Sequence, residues 1–114
     1  MNARPSGARF NDVLLAAAYA QSIVERGRAR FDEDVTLRLA GERVIEILAE
    51  AINAAVDELE QAYPDYPWFQ PIGMRNLLAH EYWRADPDLV WTTLTEDVPE
   101  VAAMVRQLGD SSDQ

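Results

Sequence analysis

The chain contains no cysteine. That excludes disulfides, zinc–thiolate centres and a thiol nucleophile, and leaves no sign of an oxidising compartment. It contains no lysine either, because all 10 basic residues are arginine. A Schiff base or a phosphate-loop lysine is therefore excluded, and every cation is a permanently charged planar fork suited to two-point contact with carboxylate or phosphate. Positive charge is scarce: 20 acidic residues against those 10 give a formal net charge of -10. Such a body repels a polyanion at long range unless its arginines are gathered in one place. No stretch approaches the roughly 18 apolar residues of a membrane span, so no membrane association and a cytoplasmic location are expected.

What is present fits one folded domain. At 114 residues with 48% hydrophobic side chains, the chain has the length and the apolar surface for a single core. Arg4 and Arg9 followed by VLLAAAYA at 13–20 imitate a secretory signal. Asp12 interrupts that pattern, however, and the helical periodicity continues through Ile23 and Val24.

The apolar spacing predicts an all-α fold of four to five helices. A flexible N-terminal arm spans 1–10, a helical domain 11–108 and a polar C-terminal tail 109–114. A first helix covers about 11–26 and ends near Gly27, which suits a left-handed cap. Asp32 or Asp34 caps a long second helix over about 35–62, whose apolar positions keep three-and-four spacing without proline. About 28 residues at about 1.5 Å rise reach about 40 Å, more than a small core covers, so a partner subunit is expected against it. YPDYPWFQP at 63–71 ends that helix through its three prolines. Tyr66, Trp68 and Phe69 are expected to plug the end of the bundle. A third helix runs from about Pro71 to Tyr82 or Trp83. Asp86 and Pro87 start a fourth through Leu94, and Val98–Leu108 forms the last.

The third helix carries the chemistry. In IGMRNLLAHEYW, setting Arg75 at zero places Asn76, His80 and Tyr82 at about 100°, 140° and −20° around the axis. The polar set shares one side, while Met74, Leu77 and Leu78 take the other. The single histidine is the side chain most suited to proton transfer near neutral pH. A neutral imidazole can take a proton from a ribose 2′-hydroxyl or return one to a leaving 5′-oxygen, and a neighbouring guanidinium can stabilise charge on the phosphorus oxygens. Asn76 can donate to a phosphate oxygen or hold the ring. Because RNA supplies its own nucleophile, neither a metal nor another cofactor is required.

The string RNLLAHEY resembles the signature of HepT-type HEPN-domain proteins: Arg, four residues, His, one residue, Tyr, with a polar residue after the Arg. The resemblance extends over YPDYPWFQPIGMRNLLAHEYWRADPDLVWTTLTEDVPEV, and ERVIEILAEA at 42–51 resembles the family's second helix. It implies a homodimeric HEPN bundle acting as the toxin of a type II toxin–antitoxin system. It also implies metal-independent endoribonuclease chemistry on Arg75 and His80, with an MntA-type nucleotidyltransferase antitoxin that transfers AMP to Tyr82. The alternative is a non-enzymatic helical dimer that binds the nucleotidyltransferase and is adenylylated on Tyr82. Ala49 replaces the family's usual glycine, and Pro71 interrupts a stretch commonly helical.

Other candidates are weaker. Arg43, Glu46 and Glu50 read as a stripe of helical ion pairs or, for Glu50, as a carboxylate that orients Arg75 or His80; Asp12 is a lesser candidate for that role. Arg26, Arg28 and Arg30 read as a solvated basic connector or as a grip on RNA backbone.

Overall fold

A computed structural model describes residues 6–68 and 86–112, and among these every regular element is helical. Helix α1 spans Ser6–Val24, α2 Arg28–Glu33, α3 Val35–Ala54, α4 Val56–Ala62, α5 Pro87–Thr92 and α6 Val98–Ser112, with a π-helical turn over Thr93–Asp97 joining the last two. Helix α1 lies between α3 and α6, while α2 and α5 flank α3.

Helix α1 begins five residues earlier than the expected 11, so the loose arm does not extend to residue 10. Phe10 explains this, since it packs on the core and extends the apolar spacing of Val13, Leu14 and Ala17 by one turn. Val13, Ala16, Ala20 and Ile23 bury the inner face. Gly27, at φ 88°, turns the chain in a region costly for other residues. The segment expected as a connector is then itself helical: Phe31 is completely buried and holds α2 against the core.

Asp34 is the cap of α3, its Oδ1 accepting from the Thr36 N–H at 2.9 Å. Arg38, one turn on, donates through Nη1 to the carbonyls of Phe31, at 3.3 Å, and Asp32, satisfying the end of α2. The expected unbroken helix over 35–62 divides at Ala55, where φ is −116° and ψ 20°. No proline or glycine marks the place. The Ala55 N–H is shared between the carbonyls of Ala51, 3.2 Å, and Ile52, 3.1 Å, and Arg9 of α1 donates to the Ala54 carbonyl. That guanidinium takes the acceptor which an uninterrupted helix would offer to the N–H of Glu58.

The two helices expected after Asp86 form one continuous rod, with α6 running through Gly109 to Ser112 rather than fraying at 109. The widened turn reconciles the rod with Pro99, which has no N–H for the Thr95 carbonyl and whose ring crowds that position in an α-helix. Val98 donates instead to Thr93, five residues back. Thr93 and Thr95 donate their hydroxyls to the carbonyls of Leu89, 2.8 Å, and Trp91, 3.0 Å.

Gly41 sets the distance between α3 and this rod. A Cβ there would lie 2.9 Å from Leu94 Cδ1, 3.3 Å from Phe31 Cε1 and 3.6 Å from Val90 Cγ1. Gly41→Val should therefore destabilise by about 1–3 kcal/mol through overpacking, and Asp34→Ala by about 1 kcal/mol through loss of the cap. Urea unfolding followed by helical circular dichroism checks both.

Candidate functional site

Arg75, Asn76, His80 and Tyr82, together with Phe69 and Pro71, lie outside the described residues. What is visible is how the chain is held on either side of them. Upstream, Trp68 is 2% exposed and joins the core. Its indole Nε1 donates to the Tyr63 carbonyl at 2.9 Å, and its ring lies 4.5 Å from that of Tyr66, tilted by 51°. The Tyr63 hydroxyl donates to Gln107 Oε1 at 2.7 Å, so the proline-rich loop is fastened to α6. The plugging role expected of Tyr66 and Trp68 is the one they occupy.

Tyr66 is half-buried facing an acidic patch. Its phenol is pushed up to about 12, first by burial and then by Glu100 and Asp97. Asp97, in the π-turn, is raised above the usual carboxylate range by burial and by Glu100 and Glu96. Both shifts have one cause, negative charge held in a poorly solvated place.

Downstream, Asp86 caps α5, accepting from the Leu89 N–H at 3.0 Å, with Pro87 in the first turn. Arg28 then ties α2 to α5. Its Nε donates to Asp32 at 2.8 Å and its Nη2 to Asp88, while the guanidinium carbon sits 5.9 Å from the centroid of the Trp91 ring. The hydrogen bonds to Asp32 and Asp88 raise its pKa further. The Arg28–Asp32 spacing was readable from sequence as an i,i+4 pair; Asp88 and Trp91, about 60 residues on, carried no such signal. Arg28, Arg38, Phe31 and the 8%-exposed Glu42 line a cleft of about 350 Å³. The lining arginines and the lining acids Asp32 and Glu42 are equal in number, so the cleft is not a basic one.

Of the remaining candidates, Glu50 is exposed on α3 and Asp12 half-buried on α1. Arg43 pairs with Glu46 at 3.0 Å, as the ion-pair stripe predicts. Arg26 and Arg30 are exposed. Of the three connector arginines, Arg28 is the one engaged in ion pairs. Among the described residues no group of three or more acidic or histidine side chains is placed to hold a metal ion, and no helix is long and apolar enough to cross a membrane.

The family model for HepT-like ribonucleases, "Ribonuclease HepT-like", matches residues 13–108. The chain belongs to the HepT-like family. A Methanocaldococcus jannaschii protein provisionally named as an RNase is 34% identical over 71 residues, which cover 62% of this chain and 65% of that one. A similarly named RNase of Caldanaerobacter subterraneus is 31% identical over 78 residues, 68% of this chain and 70% of that one. A Thermococcus cleftensis protein named as a probable HepT ribonuclease is 30% identical over 66 residues, 58% of this chain and 60% of that one. The chain thus spans 60% to 70% of the length of these relatives. No solved structure matches the chain.

Asp97 provides a test of the charge crowding behind the HepT-like chain's loop. Its raised pKa means that the charged form is disfavoured in the folded state, a penalty present at neutral pH and relieved as pH falls through the raised value towards the ordinary one. Asp97→Asn should accordingly raise the urea midpoint at pH 7, and the gain should close as pH approaches about 4.

Proposed function

We propose that this HepT-like chain is an endoribonuclease of the HEPN type, the toxin of a type II toxin–antitoxin pair, and that it acts as a homodimer in the cytoplasm. The observation that carries the reading is the family match across residues 13–108, which spans the Arg75–His80–Tyr82 motif in the sequence. The names of the three relatives, each an RNase, point the same way.

The chemistry follows from the residue types. His80, as a neutral imidazole, accepts the 2′-hydroxyl proton while that oxygen attacks phosphorus, and the 5′-oxygen leaves with a proton to give a 2′,3′-cyclic phosphate. Arg75 stabilises the added charge on the non-bridging oxygens. Asn76 orients the phosphate or the ring, and Glu50, standing exposed on α3, is a supporting carboxylate. With one histidine per chain, a homodimer would supply a second imidazole for the leaving group.

A second reading attaches to Tyr82, whose place in the motif resembles that of the AMP acceptor. Here the chain binds an MntA-type nucleotidyltransferase and is adenylylated on the phenol, oxygen attacking the α-phosphorus of ATP as pyrophosphate leaves. The two readings are compatible, the modification then silencing the nuclease.

His80→Ala and Arg75→Ala should each lower RNA cleavage by about 10²–10⁴-fold with the fold retained, measured on labelled RNA with circular dichroism in parallel. Cleavage by His80→Ala at the parent's rate would end the first reading. On incubation with the nucleotidyltransferase and ATP, intact mass should increase by one AMP. Tyr82→Phe should abolish that increase, and an unchanged gain would end the second.

A further inference from the structure

Among the described residues the buried polar side chains are Thr93 and Glu42. The Thr93 hydroxyl donates to the Leu89 carbonyl, which accounts for it. Glu42 is a carboxylate held where charge is costly, and the chemistry proposed above does not use it. It lines the cleft of about 350 Å³ bordered by α2, α3 and α5. Phe31 and Val90, whose tips converge on the neighbouring Gly41, give that cleft an apolar floor, and Pro87 adds an apolar wall. Arg38, one helical turn before Glu42, is half-buried and lines the same cleft.

We infer that this cleft is a subsite for a guanine base of the RNA, with Glu42 accepting from the N1–H and the 2-amino group and Arg38 donating to O6 and N7. The inference rests on the nuclease reading above and gives it a base preference.

The balance of charge selects a base over a phosphate. The lining arginines are matched by the lining carboxylates, and Arg28 is already paired with Asp32. A phosphate would meet carboxylates there, whereas an uncharged base that carries both donors and acceptors meets a partner for each. At about 350 Å³ the cleft is at the small end of ligand pockets, the size for a single base rather than a run of them.

Guanine matches the pair of side chains better than the other bases do. Along one continuous edge it presents two donors and then two acceptors, so a carboxylate and a guanidinium each make two-point contact. Adenine and cytosine offer a carboxylate only their amino group, and uracil only its ring N–H. Both side chains have capacity for this. Arg38 spends Nη1 on the carbonyls of Phe31 and Asp32, and a guanidinium has five N–H donors. Glu42 is not without a partner in the chain, but a carboxylate has about four acceptor sites. Side chains at i and i+4 leave the helix about 5–6 Å apart, close enough for both to reach one base.

The cleft is also near the motif. Pro87 follows Tyr82 by five positions, and five residues of chain span at most about 18 Å. A single strand engaged at the motif thus has the cleft within reach of a neighbouring base.

The test titrates the full, ¹⁵N-labelled chain with the 5′-monophosphates of guanosine, inosine, adenosine and cytidine, read by amide chemical shifts. Guanosine monophosphate should shift Phe31, Glu42 and Val90 and bind about tenfold or more tighter than the adenosine and cytidine forms. Inosine monophosphate, which lacks the 2-amino group, should fall between. Glu42→Gln should remove the preference, with helical circular dichroism unchanged. If that variant loses helicity, the four nucleotides on the parent decide. Equal affinity for all four, shifts confined to other residues, or a preference that survives Glu42→Gln would each overturn the subsite. Cleavage of RNA is scored separately. A chain that selects guanosine monophosphate but cuts no RNA ends the nuclease reading and keeps the guanine site, whereas a nuclease whose cuts are indifferent to guanine at every nearby position overturns the subsite alone.

Discussion

The missing side chain at Gly41 is the constraint on which the arrangement depends. Leu94, Phe31 and Val90 converge on the backbone of α3 so closely that a Cβ could enter only if the Leu94 side chain shifted. They come from the π-turn, α2 and α5, so one close approach sets three elements at once. Leu94 can be there only because the rod from Pro87 to Ser112 is continuous, and that continuity depends on the widened turn that absorbs Pro99. Asp86, which starts the rod, is the first described residue after the motif segment. Its position relative to α3 is therefore fixed by packing at a glycine well removed in sequence.

The flank before the motif is fixed differently, by polar bonds around buried aromatics. Trp68 is too large to leave exposed beside a small core, and its indole N–H needs an acceptor once buried; the Tyr63 carbonyl of the same loop provides it. A short loop that closes on itself in this way needs little from the rest of the chain. Its attachment to α6 through Tyr63 and Gln107 then places it against the acidic turn, where Tyr66 and Asp97 hold protons more tightly than usual. The electrostatic crowding is a consequence of seating the plug, since burying Tyr66 at this position brings it against Asp97 and Glu100.

Much of this was legible in the sequence, and the misses have physical reasons. The Asp34 and Asp86 caps, the glycine turn at 27 and the aromatic plug are local signals, each decided within a few residues. The break at Ala55 is not marked locally, since the group that takes up the Ala54 carbonyl is Arg9 on another helix, and the helicity of 28–33 depends on Phe31 finding a core pocket built by distant residues. Phe10 was readable and shows how one apolar residue outside the assumed boundary shifts a helix start by a turn. The motif itself, Arg75, Asn76, His80 and Tyr82, was legible as spacing on a helical wheel and as a resemblance to the family's signature; its relation to Glu50 and Asp12 is a tertiary matter that neither encodes.

The distribution of arginine bears on what kind of nuclease such a body could be. Arg9 is spent on a helix carbonyl, Arg28 on Asp32 and Asp88, Arg38 on the carbonyls ending α2 and Arg43 on Glu46. Cations already paired with carboxylates or carbonyls contribute less to counterion release on meeting RNA, and the salt dependence of single-strand binding scales with the number of phosphates neutralised, at about −0.7 for each. A chain of net charge -10 with these four arginines engaged is poorly suited to coating a polyanion. The positive charge a polyanion could meet on this body is local, set by the few arginines that ion pairs and carbonyls leave exposed, such as Arg26 and Arg30.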